Sequence, residues 1–423
     1  MAAPKESRIP PSAKPNVLLL AIDSLRADAV FGDRIATPRI DALIAAGAAF
    51  TQCVSTTTST TPSFSSILTG CYPPKHGVRG LQGYRLSPGV TTMAEAFSSA
   101  GYHTHAEVTG PLLPQTGVLR GFEDARHRPG YKQPFFGWRD EVVERMRSYA
   151  GPWLMLLHVW EVHRPYRSPP DFTKRWDKAG YEAAVAATDE WLAPVYEAAG
   201  ENTIVVVTGD HGEDYPDTPL EQKMIRAARK ARSKLALRKW FPYADKKIQA
   251  LAVGHGFALF EHLVRVPLIV SGPGTSTVKV DEQVRHVDVF PTLADLCGVE
   301  VPHGIDGRSL RPLIEGGSLA PEPAYMEAVG VKLEGNRIAG ARTPDFKLLR
   351  RGDSKPALYR LNGDGGTGRP NEKRNVINRY PEVGRALEEF VDRVLATGVV
   401  AESGMTEDEE ATVEQHLRDL GYL

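Results

Sequence analysis

Residues 16–23 read NVLLLAID, a short apolar run that ends in an aspartate. Continuous apolar runs of this length, without alternating polar positions, are typical of parallel strands that are buried on both faces. The same pattern recurs in three later segments, Trp153–His158, Thr203–Thr208 and Val266–Val270. Helical patterns lie between these runs, at Pro38–Ala46, Thr92–Ala100 and Glu182–Ala198. The alternation predicts an α/β fold with a doubly wound, mostly parallel central sheet between helices.

The chain of 423 residues is long enough for one large α/β domain with an appendage. Residues 1–15 contain Pro and Lys and predict a flexible N-terminal arm, and residues 16–319 are expected to form the large domain. In residues 320–423 the pattern changes to short strands, turns and amphipathic helices, which predicts a smaller C-terminal α+β subdomain. Its expected strands are Arg342–Arg351 and Ala357–Leu361, and its expected helices are Pro381–Ala396 and Glu407–Gly421.

The segment 217–250 interrupts this alternation and is strongly basic, with ten Lys or Arg residues among interleaved apolar ones. One interpretation is a solvated helical insertion in the large domain. The other is a basic lid over an anionic substrate, or a contact with an acidic partner.

Composition excludes some classes of protein. Lys and Arg (51) balance Asp and Glu (52), so the net charge does not favour nucleic acid or a membrane as partner. Three cysteines, an odd number, argue against a disulfide framework. The first apolar run is too short for a signal peptide, and no segment reaches the roughly 18 apolar residues of a membrane span. We therefore expect a cytoplasmic protein.

Acidic and histidine side chains follow the apolar runs. In open α/β sheets, ligands bind at the carboxyl ends of the strands. These ends supply Asp23 after the first run, His158, Glu161 and His163 at and after the second, and Asp210 and His211 after the third. A single Asp at such a position is usually a helix cap. Several together suit a divalent metal such as Zn, Mn, Mg or Ca.

A second cluster, Ser59–Gly70, reads STTPSFSSILTG. Pro62 fits the first position of a helix, because its missing N–H is not needed there. The hydroxyls of Ser59, Thr60 and Thr61 would then lie at the positive end of the helix, which attracts anions. The segment alone is equally compatible with a hydroxyl-rich N-cap that has no catalytic role.

Several stretches together resemble sulfatases and their phosphoesterase relatives in the alkaline phosphatase superfamily. NVLLLAIDSLRADAV, TPRIDALIAAGAAF and TTPSFSSILTGCYPPKHGV resemble the N-terminal half of that family. VVVTGDHGE, LFEHLVRVPLIVSGPG, HVDVFPTLADLCGV and DGRSLRPLI are similar to its later segments, and EQHLRDLGYL is similar to a common ending. The resemblance runs from about Asn16 to Leu423 and implies an alkaline phosphatase-like core.

The resemblance also implies roles for individual residues. It assigns one metal ion to Asp23, Thr60, Asp210 and His211, with Thr60 as the nucleophile. His163, in a segment similar to the family's HxxDxHxPY, is placed beside the anionic group of the substrate. His255, in GHGFALFE, resembles a histidine that assists the transferred group or binds a second metal, for which Glu161 and His158 are further candidates.

Two departures from the sulfatase pattern bear on the substrate. Thr60 occupies the position of the cysteine that sulfatases oxidise to formylglycine, and Phe64 occupies that of an arginine. The family's GKWHLG segment is replaced by Thr109-Gly110-Pro111. A threonine cannot become formylglycine, whereas a phosphorylated threonine can be hydrolysed by water.

We therefore predict a metal-dependent hydrolase that cleaves a phosphodiester, phosphonate or phosphomonoester through a covalent intermediate on Thr60. The alternatives are a sulfatase, a phosphoryl-group transferase, or a non-catalytic binding protein with a sulfatase-like fold. The expected partner is a small anionic ester. No nucleic acid or membrane is expected, and an oligomer is compatible with the sequence.

Overall fold

The structure is a computed structural model that describes residues 14–128, 135–166, 168–169, 172, 180–214, 227, 255–331, 337–361, 372, 374–399 and 404–423. The basic segment 217–250 lies outside these residues except for Ala227, so both interpretations of it stay open. Most of the expected arm, residues 1–13, also lies outside them.

Eight strands form the large sheet, in the spatial order β4-β3-β5-β1-β6-β7-β2-β8. Strands β4, β3, β5, β1 and β6 are parallel, and so are β2 and β8. The mostly parallel α/β sheet is therefore confirmed. The strands are β1 Asn16–Ile22, β2 Ala48–Val54, β3 His103–Val108, β4 Asp124–His127, β5 Trp153–Val159, β6 Thr203–Gly209, β7 Arg265–Ser271 and β8 Val278–Arg285.

Strand β7 differs from the expectation of a parallel strand. It contains the apolar run Val266–Val270 but is antiparallel to both of its neighbours, β6 and β2. The apolar run reports burial on both faces of the sheet, and an internal antiparallel strand is buried in the same way. Direction is not encoded in such a run.

Helices pack on both faces of the large sheet. Alternate residues of β1 belong to different apolar clusters: Val17 and Leu19 to one, Leu18 and Leu20 to the other. This is the three-layer arrangement that the sequence predicts. The helices are α1 Ala27–Val30, α2 Pro38–Ala46, α3 Thr60–Thr69, α4 Pro73–His76, α5 Met93–Ser99, α6 Phe135–Ser148, α7 Tyr181–Trp191, α8 Ala193–Ala199, α9 Glu261–Val264, α10 Val289–Cys297, α11 Arg311–Ile314, α12 Pro381–Ala396 and α13 Glu407–Leu420.

Two expected helices differ from the structure in detail. The pattern Glu182–Ala198 forms α7 and α8, because Pro194 in the first turn of α8 lacks the N–H that would continue a single helix. Helix α3 begins at Thr60 rather than at Pro62, with Ser59 as the N-cap. A proline anywhere in the first turn leaves intrahelical hydrogen bonding intact, so Pro62 did not determine the start.

A separate four-stranded antiparallel sheet, in the order β12-β11-β10-β9, forms in the C-terminal part of the chain. Its strands are β9 Ala324–Ala328, β10 Ile338–Arg342, β11 Phe346–Arg351 and β12 Ala357–Arg360. The prediction of one strand over Arg342–Arg351 was wrong, because Thr343-Pro344-Asp345 forms a turn in which the Thr343 N–H donates to the Phe346 carbonyl (2.8 Å). Helix α12 packs on one face of this sheet. The domain boundaries at 16–319 and 320–423 stay a prediction.

In the part of the chain that the structure describes, no helix is long and apolar enough to cross a membrane. Cys53, Cys71 and Cys297 are buried and unpaired, in agreement with the expected lack of a disulfide framework.

A buried ion cluster joins the small sheet to the large one. Glu261, in α9 just before β7, accepts from Lys347 Nζ (3.0 Å) and from Arg342 Nη2 (2.9 Å), both on the small sheet. Burial would raise the pKa of Glu261, but Lys347 and Arg342 lower it to about 2. The Glu261 carboxylate therefore compensates the charge of Arg342 and, together with Glu372, that of Lys347.

Replacing Glu261 by Gln leaves Arg342 without a carboxylate and Lys347 with only that of Glu372, and we expect a loss of about 3 kcal/mol in the free energy of unfolding. Urea unfolding at neutral pH measures it. The matched control is Glu315→Gln, which breaks the exposed pair of Glu315 with Arg311 and costs less than about 1 kcal/mol. Equal losses in the two variants would contradict the role of the buried cluster.

Candidate metal centre and active site

Two carboxylates meet at the carboxyl end of the large sheet. Asp23 directly follows β1 and Asp210 directly follows β6, its neighbour, and both side chains are fully buried. Ser24, in the left-handed region at φ 64°, turns the chain so that its N–H donates to Asp210 Oδ1 (3.0 Å). Its hydroxyl donates to Asp23 Oδ1 (2.8 Å). One serine thus holds both carboxylates, which fixes them side by side.

The backbone of Asp210 is held from the other side by two hydroxyls. Ser55, after β2, and Ser63, in α3, both donate to the Asp210 carbonyl, at 2.7 and 2.6 Å. Helix α3 and strand β6 are therefore locked together at this point.

His158, at the end of β5, lies against the first carboxylate. Its Nε2 is 3.4 Å from Asp23 Oδ2, and its Nδ1 lies 3.1 Å from the Thr109 carbonyl. Because a carbonyl only accepts, the Nδ1 must carry the proton, and Nε2 of the neutral ring faces Asp23 as a lone pair. Burial lowers the pKa of His158 to about 4, which keeps the ring neutral.

His211 is oriented in the same way towards the second carboxylate. Its Nδ1 donates to the Gly212 carbonyl (2.8 Å), and its Nε2 is 3.5 Å from Asp210 Oδ2. The ring is fully buried. Both histidines thus turn their Nε2 atom towards an aspartate.

These groups fit a divalent cation. His158 Nε2, Asp210 Oδ2 and His211 Nε2 are buried and have no hydrogen-bond partner. One ligand atom from each of Asp23, His158 and Asp210 lies within 4.8 Å of the others. Burial and the nearby Asp210 raise the pKa of Asp23 well above its ordinary value. A cation bound here removes the repulsion between the carboxylates and satisfies the orphaned atoms.

Thr60, the first residue of α3, contacts the same carboxylate. Its Oγ1 donates to Asp23 Oδ2 (3.3 Å) and is fully buried. The neighbouring Thr61 hydroxyl instead donates to the Pro111 carbonyl (3.0 Å). The positive N-terminal end of α3 lies beside the Asp23 carboxylate, and the N–H groups of its first turn have no intrahelical partner.

Phe64 packs against a ligand candidate. Its ring meets His158 edge-on, with the centroids 4.9 Å apart, and is fully buried. At the position where sulfatases have an arginine, this chain therefore supports an imidazole with an apolar surface rather than supplying a cation.

His163 and His255 form a pair beside this group. Their Nε2 atoms are 2.9 Å apart, and each Nδ1 lies near a carbonyl: that of Arg164 (2.7 Å) for His163, that of Thr58 (3.2 Å) for His255. With both Nδ1 atoms donating to carbonyls, the two Nε2 lone pairs face each other, an arrangement that can share one proton or bind a cation. Burial lowers the pKa of His163 to about 3 and that of His255 well below its ordinary value.

Glu161, a candidate for a second metal, is engaged elsewhere. Arg128 Nη1 donates to its Oε1, and the Trp160 N–H donates to its Oε2 (2.9 Å). Both members of the Arg128–Glu161 pair are 2% exposed, so the carboxylate is already neutralised. His158 lies with Asp23 and Asp210 rather than with His163 and His255.

The segment Thr109-Gly110-Pro111 acts through its carbonyls. The Thr109 carbonyl accepts a hydrogen bond from His158 Nδ1, and the Pro111 carbonyl accepts one from the Thr61 hydroxyl. Gly110 accepts from His127 and His416, both at 2.9 Å. A Cβ on Gly110 would lie 1.8 Å from the Trp160 ring, so only glycine fits.

The sequence did not point to Tyr422. Its side chain is 4% exposed, and its hydroxyl is 3.1 Å from His163 Nε2. A glycine after a helical pattern signals the end of the helix, but no local pattern shows that the following tyrosine reaches residues more than 250 positions earlier.

Comparison with known proteins finds two family models that match parts of this chain. The sequence model of the sulfatase family matches residues 15–299, and that of the C-terminal region of N-sulphoglucosamine sulphohydrolase matches residues 256–394. The uncharacterized sulfatase YidJ of Escherichia coli is 22% identical, over 90% of this chain and 88% of the relative. An ulvan-active sulfatase of Formosa agariphila is 26% identical, over 71% of this chain and 65% of the relative.

Solved structures share the fold. The phosphonate monoester hydrolase of Agrobacterium radiobacter superimposes with a TM-score of 0.69 at 18% identity, over 91% of this chain and 96% of that one. The phosphonate monoester hydrolase of Silicibacter pomeroyi gives 0.66 at 20% identity, over 90% and 94%. The central sheet and the small C-terminal sheet are those of sulfatase-like and alkaline phosphatase-like structures.

Metal binding is expected to stabilise the protein. After treatment with a chelator, adding Mn²⁺ or Zn²⁺ at about 100 times its Kd should raise the unfolding free energy by about 2.7 kcal/mol. The Asp210→Asn variant should show no such gain, yet be at least as stable as the metal-free wild type, because the carboxylate repulsion is gone. Thermal unfolding with and without metal measures both.

The control for this experiment is Asp392→Asn, at an exposed aspartate of α12 that pairs with Arg350. It should respond to metal as the wild type does. A wild type whose melting temperature is indifferent to chelator and metal would contradict the site.

Proposed function

Because the chain belongs to the sulfatase family, we propose that it is a metal-dependent hydrolase that cleaves a phosphate-type ester through a covalent intermediate on Thr60. The observation that carries the proposal is the position of the Thr60 hydroxyl. It lies at the N-terminus of α3 and 3.3 Å from Asp23 Oδ2, next to a group of buried atoms that require a cation.

Asp23, Asp210 and His211 would hold the cation together with Thr60, and His158 is a further ligand. Two carboxylates and two imidazoles favour Mn or Zn over Ca and Mg, which prefer oxygen ligands. When bound, the cation supplies Lewis-acid chemistry, lowering the pKa of the nucleophile and neutralising charge on the ester. The described residues contain one group of three such ligands, which supports a single ion.

The first step is attack by Thr60 Oγ1 on phosphorus. A bond forms between this oxygen and phosphorus, and the bond from phosphorus to the alcohol oxygen breaks. Asp23 Oδ2, which accepts the Thr60 hydrogen bond, orients the hydroxyl and takes its proton as the bond to phosphorus forms. The first-turn N–H groups of α3 and its dipole stabilise the negative charge on the non-bridging oxygens.

Departure of the alcohol requires a proton. The His163–His255 pair can hold a proton between its two Nε2 atoms, which are 2.9 Å apart. We propose that His255 delivers this proton to the oxygen of the departing alcohol. In the second step, water gives a proton to His255 and attacks phosphorus, the bond to Thr60 breaks, and the proton held by Asp23 returns to the Thr60 oxygen. The net reaction is hydrolysis of the ester.

Sulfate-ester hydrolysis is the second candidate, because the curated relatives are named sulfatases. What argues against it is the side chain at the nucleophile position. A threonine offers no aldehyde hydrate, so a sulfated Thr60 has no internal route for releasing sulfate. A phosphoryl-group transferase would use the same first step with an acceptor other than water.

A non-catalytic role is harder to reconcile with the buried charges. Keeping Asp23 and Asp210 adjacent and desolvated costs stability unless a cation is bound. A protein that kept the fold only for binding would gain nothing from this loss of stability.

The Thr60→Ala variant should lower kcat by at least about three orders of magnitude, because nucleophile removal leaves only residual catalysis. The matched control is Thr61→Ala, since its hydroxyl is bonded to the Pro111 carbonyl, and it should change kcat by less than about tenfold. Mass spectrometry of acid-quenched wild type should find one phosphoryl group on Thr60. Near-normal turnover by Thr60→Ala would remove this residue from the mechanism.

A parallel assay of aryl phosphate monoesters, diesters, phosphonates and sulfates with Mn²⁺, Zn²⁺, Mg²⁺ and Ca²⁺ tests the substrate class. We expect the highest kcat/KM with a phosphate-type ester and with Mn²⁺ or Zn²⁺. A clear preference for sulfate monoesters would overturn the assignment in favour of the second candidate.

A further inference from the structure

Tyr422 is placed in the site by the way α13 ends. Gly421 adopts a left-handed conformation (φ 86°), the Tyr422 N–H donates to the Leu417 carbonyl (2.9 Å) and the Gly421 N–H to the Arg418 carbonyl (3.0 Å). This pair of bonds is the Schellman motif, which turns the chain back along its helix. The tyrosine side chain therefore points inward, beside Leu417, instead of continuing outward.

Helix α13 is itself fixed against the residues that support the site. Val413 and Leu417 pack with Trp160, whose ring lies 4.2 Å from the His163 ring. His416 Nε2 lies 2.9 Å from the Gly110 carbonyl, in the segment that also orients His158 and Thr61. These contacts hold the Tyr422 ring in a fixed position relative to the site residues.

The Tyr422 hydroxyl contacts two groups of the proposed mechanism. Its oxygen lies 3.1 Å from His163 Nε2, and it is hydrogen-bonded to the Thr60 side chain. Its ring centroid lies 6.0 Å from that of His163 and 6.1 Å from that of His255. The hydroxyl thus lies between the nucleophile and the histidine pair.

We propose that Tyr422 is a catalytic residue, whose hydroxyl donates a hydrogen bond to a non-bridging oxygen of the group transferred to Thr60. The inference rests on the proposed function. A buried hydroxyl next to the attacking oxygen is already in place when negative charge develops on the transferred group, so it need not reorganise. A phenol has the further advantage that it donates at neutral pH without carrying a charge.

The test is Tyr422→Phe, which removes the hydroxyl and keeps the ring. We expect kcat to fall by about 10²-fold, as for other single donors to a developing oxyanion, with KM changed by less than about threefold. The matched control is Tyr380→Phe, at a tyrosine that packs on Phe346 in the small subdomain, and it should leave kcat unchanged. The melting temperature of both variants should fall by no more than about 4 °C.

Two further measurements identify the atom that receives the hydrogen bond. A donor to non-bridging oxygens affects good and poor leaving groups alike, so the loss in kcat should be the same across a series of aryl esters. Binding of orthovanadate, measured by calorimetry, should weaken in Tyr422→Phe, whereas the affinity for Mn²⁺ should stay that of the wild type. A loss that grows with the leaving-group pKa would overturn the assignment, because the hydroxyl would then act on the alcohol.

Other outcomes also overturn it. If Tyr422→Phe keeps normal kcat while Tyr422→Ala loses it, the residue only packs. If either variant raises kcat/KM, the side chain blocks the site. Failure of the proposed function itself is distinguishable, because in that case wild type hydrolyses none of the esters or Thr60→Ala keeps full activity.

Discussion

Two carboxylates that are buried side by side are the constraint on which this structure depends. Asp23 and Asp210 follow adjacent parallel strands and are removed from water, and their repulsion must be balanced. No Lys or Arg among the described residues pairs with either carboxylate, and the basic side chains beside them are the imidazoles of His158 and His211. The surrounding hydrogen bonds hold the two carboxylates close together and do not relieve the repulsion between them. These buried groups therefore fit a divalent cation, which would balance the charge of both carboxylates.

Much of this could be predicted from the sequence, because it depends on local patterns. A continuous apolar run that ends in Asp specifies a buried strand and a polar side chain at its carboxyl end, whichever strands are its neighbours. That reasoning placed Asp23, His158, Asp210 and His211 at strand ends, where the structure brings their side chains together, and their role as metal ligands stays a prediction. The choice of Thr60 over Thr61 rested on the family resemblance, and the structure adds that the Thr61 hydroxyl is bonded to the Pro111 carbonyl while that of Thr60 contacts Asp23.

What the sequence did not predict depends on contacts between distant parts of the chain. The direction of β7 is set by its neighbours, not by its residues. Glu161 is a suitable metal ligand by type, but Arg128 neutralises it, and that pairing has no sequence signature. Tyr422 enters the site through a local turn at Gly421 combined with the docking of α13 on Trp160. Only the turn is visible in the sequence.

Anomalous scattering from crystals of the protein grown with Mn²⁺ locates a bound ion independently of any assay. We expect one strong peak at roughly 2.0–2.3 Å from oxygen or nitrogen atoms of Asp23, Asp210 and His211, with Thr60 Oγ1 in the same coordination sphere. A peak held by His163 and His255 alone, or Asp23 and Asp210 with no ion between them at saturating metal, would contradict it.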